Sequence, residues 1–162
     1  MAPMVSTIEI ACTPEEVFAV ATDPRRFAEW QHDVVNVRML GEARFATTRR
    51  ISGAERTMIQ QISRNDPPHG WAARGIDGPI RPHATLTVEP VNGGTRSRVT
   101  FTLDFEGHGI GVPLLPLVRR QAHKGAPNSY RNLKDLLERG QSRRRSSPRP
   151  ASGPARPLSS SP

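Results

Sequence analysis

Six consecutive segments of strand character, each cut from the next by a few turn residues, fill residues 34–106 and leave this chain little choice of architecture. They are 34–40, 44–51, 55–63, 71–76, 83–90 and 96–106, and the breaks between them are Gly41, Ser52-Gly53, Asn65-Asp66-Pro67-Pro68, Asp77-Gly78-Pro79 and Asn92-Gly93-Gly94. Glycine and asparagine reach the left-handed backbone that tight turns need, while proline fixes φ and withholds a donor. Connections this short cannot hold a crossover, so consecutive strands run antiparallel. The last segment is the clearest, with Val99, Phe101, Leu103 and Phe105 on one face and Thr100, Thr102, Asp104 and Glu106 on the other. Such a sheet rests one face on a core and leaves the other wet.

The flanks are equally legible. Residues 5–12 alternate, with Ile8, Ile10 and Cys12 on one side, which predicts a further strand. Thr13-Pro14-Glu15-Glu16 then supplies a hydroxyl cap, a proline at the first helical position and a glutamate at the third, a capping box ahead of Val17, Phe18 and Ala21. Asp23-Pro24 ends that helix and starts a second short one carrying Phe27 and Trp30. Beyond Gly107-His108-Gly109-Ile110-Gly111 the period becomes helical. Leu114, Leu117, Val118, Gln121, Tyr130, Leu133, Leu136 and Leu137 fall near one stripe of a long closing helix. Gly125 and Pro127 interrupt it, and an interior proline costs about 3 kcal/mol, so a kink or break is expected near 124–127.

Composition narrows the possible functions. A chain of 162 residues fits one domain, and its single cysteine excludes an internal disulfide framework. The first residues hold no Lys or Arg ahead of an apolar run, so no secretory signal is expected and the setting is read as cytoplasmic. The longest uncharged apolar stretch, 109–118, is far shorter than the ~20 residues of a membrane-spanning helix. The net charge of +8 sits mostly at the end: residues 1–140 hold 18 basic and 15 acidic residues, while 141–162 hold five arginines and no acid. That segment is rich in Ser, Pro and Arg and is expected to be a disordered tail, with at most weak contact to anionic surfaces; no specific nucleic-acid partner is expected. The domain is accordingly bounded at 1–140 and the tail at 141–162.

The order strand, two short helices, six antiparallel strands and long helix resembles the helix-grip fold. The stretch STIEIACTPEEVFAVATDPRRFAEWQHDVVNV is similar to the opening of the SRPBCC (START-like) superfamily, in its polyketide cyclase/dehydrase and lipid-transport branch. Gly94-Thr95, the Phe101-x-Leu103-x-Phe105-x-Gly107 strand and the ending Asn132–Glu138 also match, so the resemblance covers about residues 4–139. It implies an α+β fold, a seven-stranded bent antiparallel sheet wrapped around the C-terminal helix, with an apolar cavity between them. This superfold hosts carriers, cyclases and interaction domains alike, so fold alone does not settle activity.

Residues expected to face that cavity are Trp30, Phe45, Arg49, Met58, Gln60, Trp71, Phe101, Leu103, Phe105, Leu117, Gln121 and Tyr130. Arg49 shares a strand face with Phe45, Thr47 and Ile51; it either binds a ligand oxygen or snorkels out at the strand end. Gln60 lies between Met58 and Ile62 and either orients a ligand or bonds to a neighbour. Trp71 and Arg74 fall on opposite faces, and Trp71 is taken as the inward one.

Other motifs are weaker. The five histidines show no metal-ligand spacing, so neither a metal nor a cofactor is expected. His32 beside Asp33 is read as a surface loop pair, and His83 as solvent-facing. The Gly107-x-Gly109-x-Gly111 run lacks the third glycine and the strand–turn–helix context of a dinucleotide site. Cys12 reads as a small buried hydrophobe. No catalytic residue is assigned. The leading expectation is a carrier or sequestering protein for a small hydrophobic molecule, whether lipid, polyketide or aromatic; a cyclase/dehydratase using the same cavity and a stress-response or co-chaperone-like interaction domain are the alternatives.

Overall fold

The computed structural model describes residues 2–146. Strand β1 (Met4–Ile10) leads through the Thr13 cap into helix α1 (Pro14–Ala21), where the Thr13 hydroxyl accepts from the Glu16 amide and the Glu16 carboxylate accepts from the Thr13 amide. A 3-10 turn over Pro24–Glu29 follows, capped by Asp23, whose carboxylate accepts from the Arg25 amide. Both caps satisfy amides that a helix start otherwise leaves unpaired. The meander is β2 (Val34–Met39), β3 (Arg44–Ile51), β4 (Ala54–Asp66), β5 (Gly70–Gly75), β6 (Ile80–Val91) and β7 (Arg96–Gly107). A 3-10 turn over Gly109–Leu114 then delivers the chain to α2 (Leu115–Ser146).

All seven strands form one antiparallel sheet in the order β1-β7-β6-β5-β4-β3-β2. The meander therefore runs from one edge, β2, towards the other, and β1 pairs with the last strand to close the count. Register shifts at Val34/Asn36 in β2 and Ile62/Arg64 in β4 break the ladder locally, and such bulges bend and twist a sheet.

The core gathers Ile10, Val17, Phe18, Val88, Val99, Leu133 and Leu137 with the aromatic side chains Phe27, Phe45, Trp30, Trp71 and Phe101. The glycine run before α2 has a packing role. Gly109 adopts φ +56°, and a Cβ on Gly111 would collide with the Pro79 carbonyl in the β5–β6 turn. The His108 amide donates to that same carbonyl at 2.8 Å. Glycine is the residue that lets the two backbones approach so closely.

The extent of α2 bears on two expectations, the break near 124–127 and the start of the tail. α2 runs unbroken through Gly125 and Pro127. Pro127 is exposed, as is His123, whose carbonyl loses its helical donor to the proline, so water can take the missing place. The helix also continues to Ser146, past the boundary drawn at residue 140; near its end Arg144 Nη1 lies 3.2 Å from Glu16 Oε1, and Cys12 Sγ lies 3.6 Å from Gln141 Oε1. The rest of the expected tail, 147–162, lies outside the described residues.

Candidate ligand cavity

A cavity of about 420 Å³ lies between the concave side of the sheet and the first half of α2. Strand alternation explains its sheet wall. Met58 and Gln60 on β4, Trp71 on β5, Pro82, Ala84 and Leu86 on β6, and Phe101, Leu103 and Phe105 on β7 are every-second-residue positions that point to the helix side. Ala21, Phe27 and Trp30 close one end, and Val118, Gln121, Ala122, Gly125, Ala126, Ser129 and Tyr130 form the helix wall.

Phe27 organises the aromatic side chains. Its ring meets Trp30, Phe45 and Trp71 edge-on, with centroids 6.0, 5.8 and 6.1 Å away, the arrangement that aligns positive ring edges with negative faces. Phe101 stacks on Tyr130 at 3.8 Å with an angle of 11° between rings, joining β7 to α2 across the cavity. Phe45 is thus fully buried behind Phe27, in the core and off the cavity wall. Leu117 is also off the wall: it is 47% exposed, because α2 turns Val118 and Gln121 inward. The other residues expected at the cavity, Trp30, Arg49, Met58, Gln60, Trp71, Phe101, Leu103, Phe105, Gln121 and Tyr130, all line it.

The polar groups concentrate around Arg49. Its Nη1 donates to both carboxylate oxygens of Asp33, at 2.9 and 3.0 Å, and its Nη2 donates to Gln31 Oε1 at 2.6 Å. The guanidinium is therefore held at the wall and is not swept into solvent. Sequence reasoning missed this partner set, because the pairing of Val34 with Arg49 places Asp33 beside the arginine only once strand register is known. Adjacent His32 also borders the cavity, with its Nε2 at 3.3 Å from Asn132 Nδ2 on α2. Gln60 accepts at Oε1 from the Thr47 hydroxyl at 3.3 Å, and both side chains are buried.

Two further donors, on Trp30 and Tyr130, belong to residues that line the cavity. Trp30 Nε1 is buried and has no hydrogen-bond acceptor among the described residues. Burial pushes the Tyr130 phenol up to about 12, with the nearby Arg49 charge acting the other way, so the hydroxyl keeps its proton across the working pH range. Among the described residues no group of three His, Cys, Asp or Glu side chains is placed to hold a metal ion. Cys12 lies away from the cavity at the far end of α2; it is 3.4 Å from the Leu137 carbonyl, and burial raises its thiol to about 11. His83 sits on the outer face against Glu106 at 3.2 Å, and these contacts with His83 and His108 hold the Glu106 carboxyl below its ordinary range.

A seven-stranded antiparallel sheet gripping a long C-terminal helix around an apolar cavity defines the START-like class. Over residues 1–138 the sequence matches the family described as polyketide cyclase / dehydrase and lipid transport, and the chain belongs to that family. No curated protein matches it. Among solved structures, it resembles the Zhui aromatase/cyclase from Streptomyces sp. R1128, with TM-score 0.73 and 14% identity over 85% of this chain and 93% of that one. A START superfamily protein from Mycobacterium smegmatis gives TM-score 0.72 and 14% identity over 86% and 99%. A conserved protein from Geobacillus kaustophilus gives 0.68 and 17% over 84% and 95%. Identities this low speak to the fold alone.

Proposed function

We propose that this chain binds a small, mostly apolar molecule carrying at least one oxygen acceptor, and holds it as a carrier or sequestering protein in a reducing, cytoplasmic setting. The observation that carries this is the cavity itself: about 420 Å³, walled by aromatic and aliphatic side chains, with a few polar groups at one side. That volume falls within the ~300–1,000 Å³ range of small-molecule pockets. Apolar burial would drive entry and the polar contacts would set pose. The Trp30 indole N–H, buried and without a partner among the described residues, gains most from meeting a carbonyl or hydroxyl oxygen, and the protonated Tyr130 hydroxyl on the cavity wall can donate to the same guest.

The carrier reading is favoured over a cyclase by how the charges are used. A cyclase needs a proton acceptor aimed at its substrate, whereas Asp33 is occupied by Arg49, and His32 contacts Asn132. The test is solvent extraction of the purified protein followed by mass spectrometry, with turnover assays on poly-keto substrates alongside. Recovery of an unmodified apolar compound supports the carrier. Turnover that Arg49→Ala abolishes while binding persists would replace it with the cyclase reading.

A further inference from the structure

The corner where β7 hands over to α2 carries an apolar surface that the fold does not use. Ile110 is 78% exposed, Val112 54% and Leu117 47%, and Pro113 and Pro116 between them are exposed as well. Among the described residues, the other large apolar side chains in water, Val5, Val35 and Leu40, lie apart on β1 and around β2. Single exposed hydrophobes are ordinary, whereas a cluster marks a surface that meets something.

Charge says what it meets. From Gly107 to Lys134 the chain has no acidic residue, yet it holds Arg119, Arg120, Lys124, Arg131 and Lys134. Arg119 is engaged by Asp104 at 2.7 Å and Lys134 by Glu138 at 3.0 Å. Arg120 and Lys124 are exposed and one helical turn apart, so they share a face directly after the apolar segment. Apolar side chains at a corner, followed along α2 by cations, complement a lipid bilayer with anionic headgroups: the former enter the acyl boundary while the latter meet the headgroups, and the neighbouring acids Asp104 and Glu106 are engaged by Arg119 and His108.

We infer that residues 110–124 form a docking surface for an anionic lipid bilayer. Its position gives the contact a use. Lys124 and Gly125 also line the cavity, so a docked molecule would bring the helix wall of the cavity to a reservoir of apolar guests. That use rests on the ligand-binding reading; the docking does not.

The experiment is flotation of the full chain with vesicles of phosphatidylcholine alone or mixed with phosphatidylglycerol, together with titration of the cavity by cis-parinaric acid. The chain should float with the phosphatidylglycerol vesicles and far less with the zwitterionic ones. Ile110→Asp combined with Val112→Asp should lower partitioning at least about tenfold, because both side chains would carry charge into the acyl boundary. Arg120→Glu should lower it about fivefold. Ile110→Ser, a milder change, should lower it a few-fold. All should keep the wild-type circular dichroism and probe affinity. Failure of the wild type to float with anionic vesicles would overturn the proposal. So would a double aspartate variant that floats equally well, which would assign binding to the arginines of 141–162. A wild-type dimer in sedimentation that the double variant dissolves would make the surface an interface between copies instead. Vesicle binding without any probe binding would retain the docking surface and sink the carrier reading.

Discussion

The two halves of α2 follow the same helical stripe and do opposite things. In the second half the inward positions are Leu133, fully buried, Leu136 and Leu137, and this end is fastened by hydrogen bonds: Lys134 Nζ donates to the Glu9 carbonyl at 2.7 Å, the Ala11 amide donates to Glu138 Oε1 at 3.0 Å, and Asn132 Nδ2 donates to the Trp30 carbonyl at 3.3 Å. In the first half, the positions on the cavity include Ala122, Gly125, Ala126 and Ser129. Large side chains fill the space between helix and sheet at one end, and small ones leave it open at the other. Protein interiors otherwise pack to crystal-like density, so a cavity needs a local cause, and here the cause is side-chain size on one helix face.

Substitutions in the packed half should cost the most stability. Leu133→Ala removes a fully buried side chain and should lower unfolding free energy by about 2–5 kcal/mol, read by urea denaturation. A loss below about 1 kcal/mol would mean that this end is as loosely packed as the other.

High pH should probe the same end. The Cys12 thiol is raised to about 11, chiefly by burial, from an ordinary value of 9.0. The folded state holds that proton more tightly than the unfolded one, so the contribution is fully present below pH 9 and is lost as pH rises towards 11. The decline should amount to about 2–3 kcal/mol, and Cys12→Ala should remove that part of the slope in denaturation curves taken across this range.

The smallest effect belongs to the open half. A Cβ on Gly125 would meet no atom within 4 Å, and the residue sits in continuous helix. Gly125→Ala should therefore stabilise by about 0.5–1 kcal/mol through helix propensity, seen as a rise in thermal midpoint. A loss of stability would show that the wall at this point is tighter than described.

Much of this was legible in the sequence because the signals are local. Alternation with turn residues located every strand, and Thr13 to Glu16 announced α1 before any packing was known. The inward face of β7 was readable for the same reason. What escaped depended on elements meeting. Phe45 sits on the inward face of its strand, but Phe27 from the 3-10 turn covers it. Leu117 was misphased because at 3.6 residues per turn it falls outside the inward stripe that Val118, Ala122, Ser129 and Leu133 define on α2, a stripe that only the docked helix makes plain. The Arg49–Asp33–Gln31 set required strand register, and the exposed placement that makes Pro127 tolerable required the helix to be docked.

The central claim is that small residues on the first half of α2 leave room for a guest. Paired titrations of wild type and Ala126→Phe with cis-parinaric acid test it, following fluorescence of the chain's two tryptophans, Trp30 and Trp71, both of which line the cavity. The wild type should saturate with one probe per chain. The variant should fold with wild-type circular dichroism and bind at least about a hundredfold more weakly, since the added ring occupies the space. A folded Ala126→Phe protein that binds the probe as tightly as wild type would contradict the account.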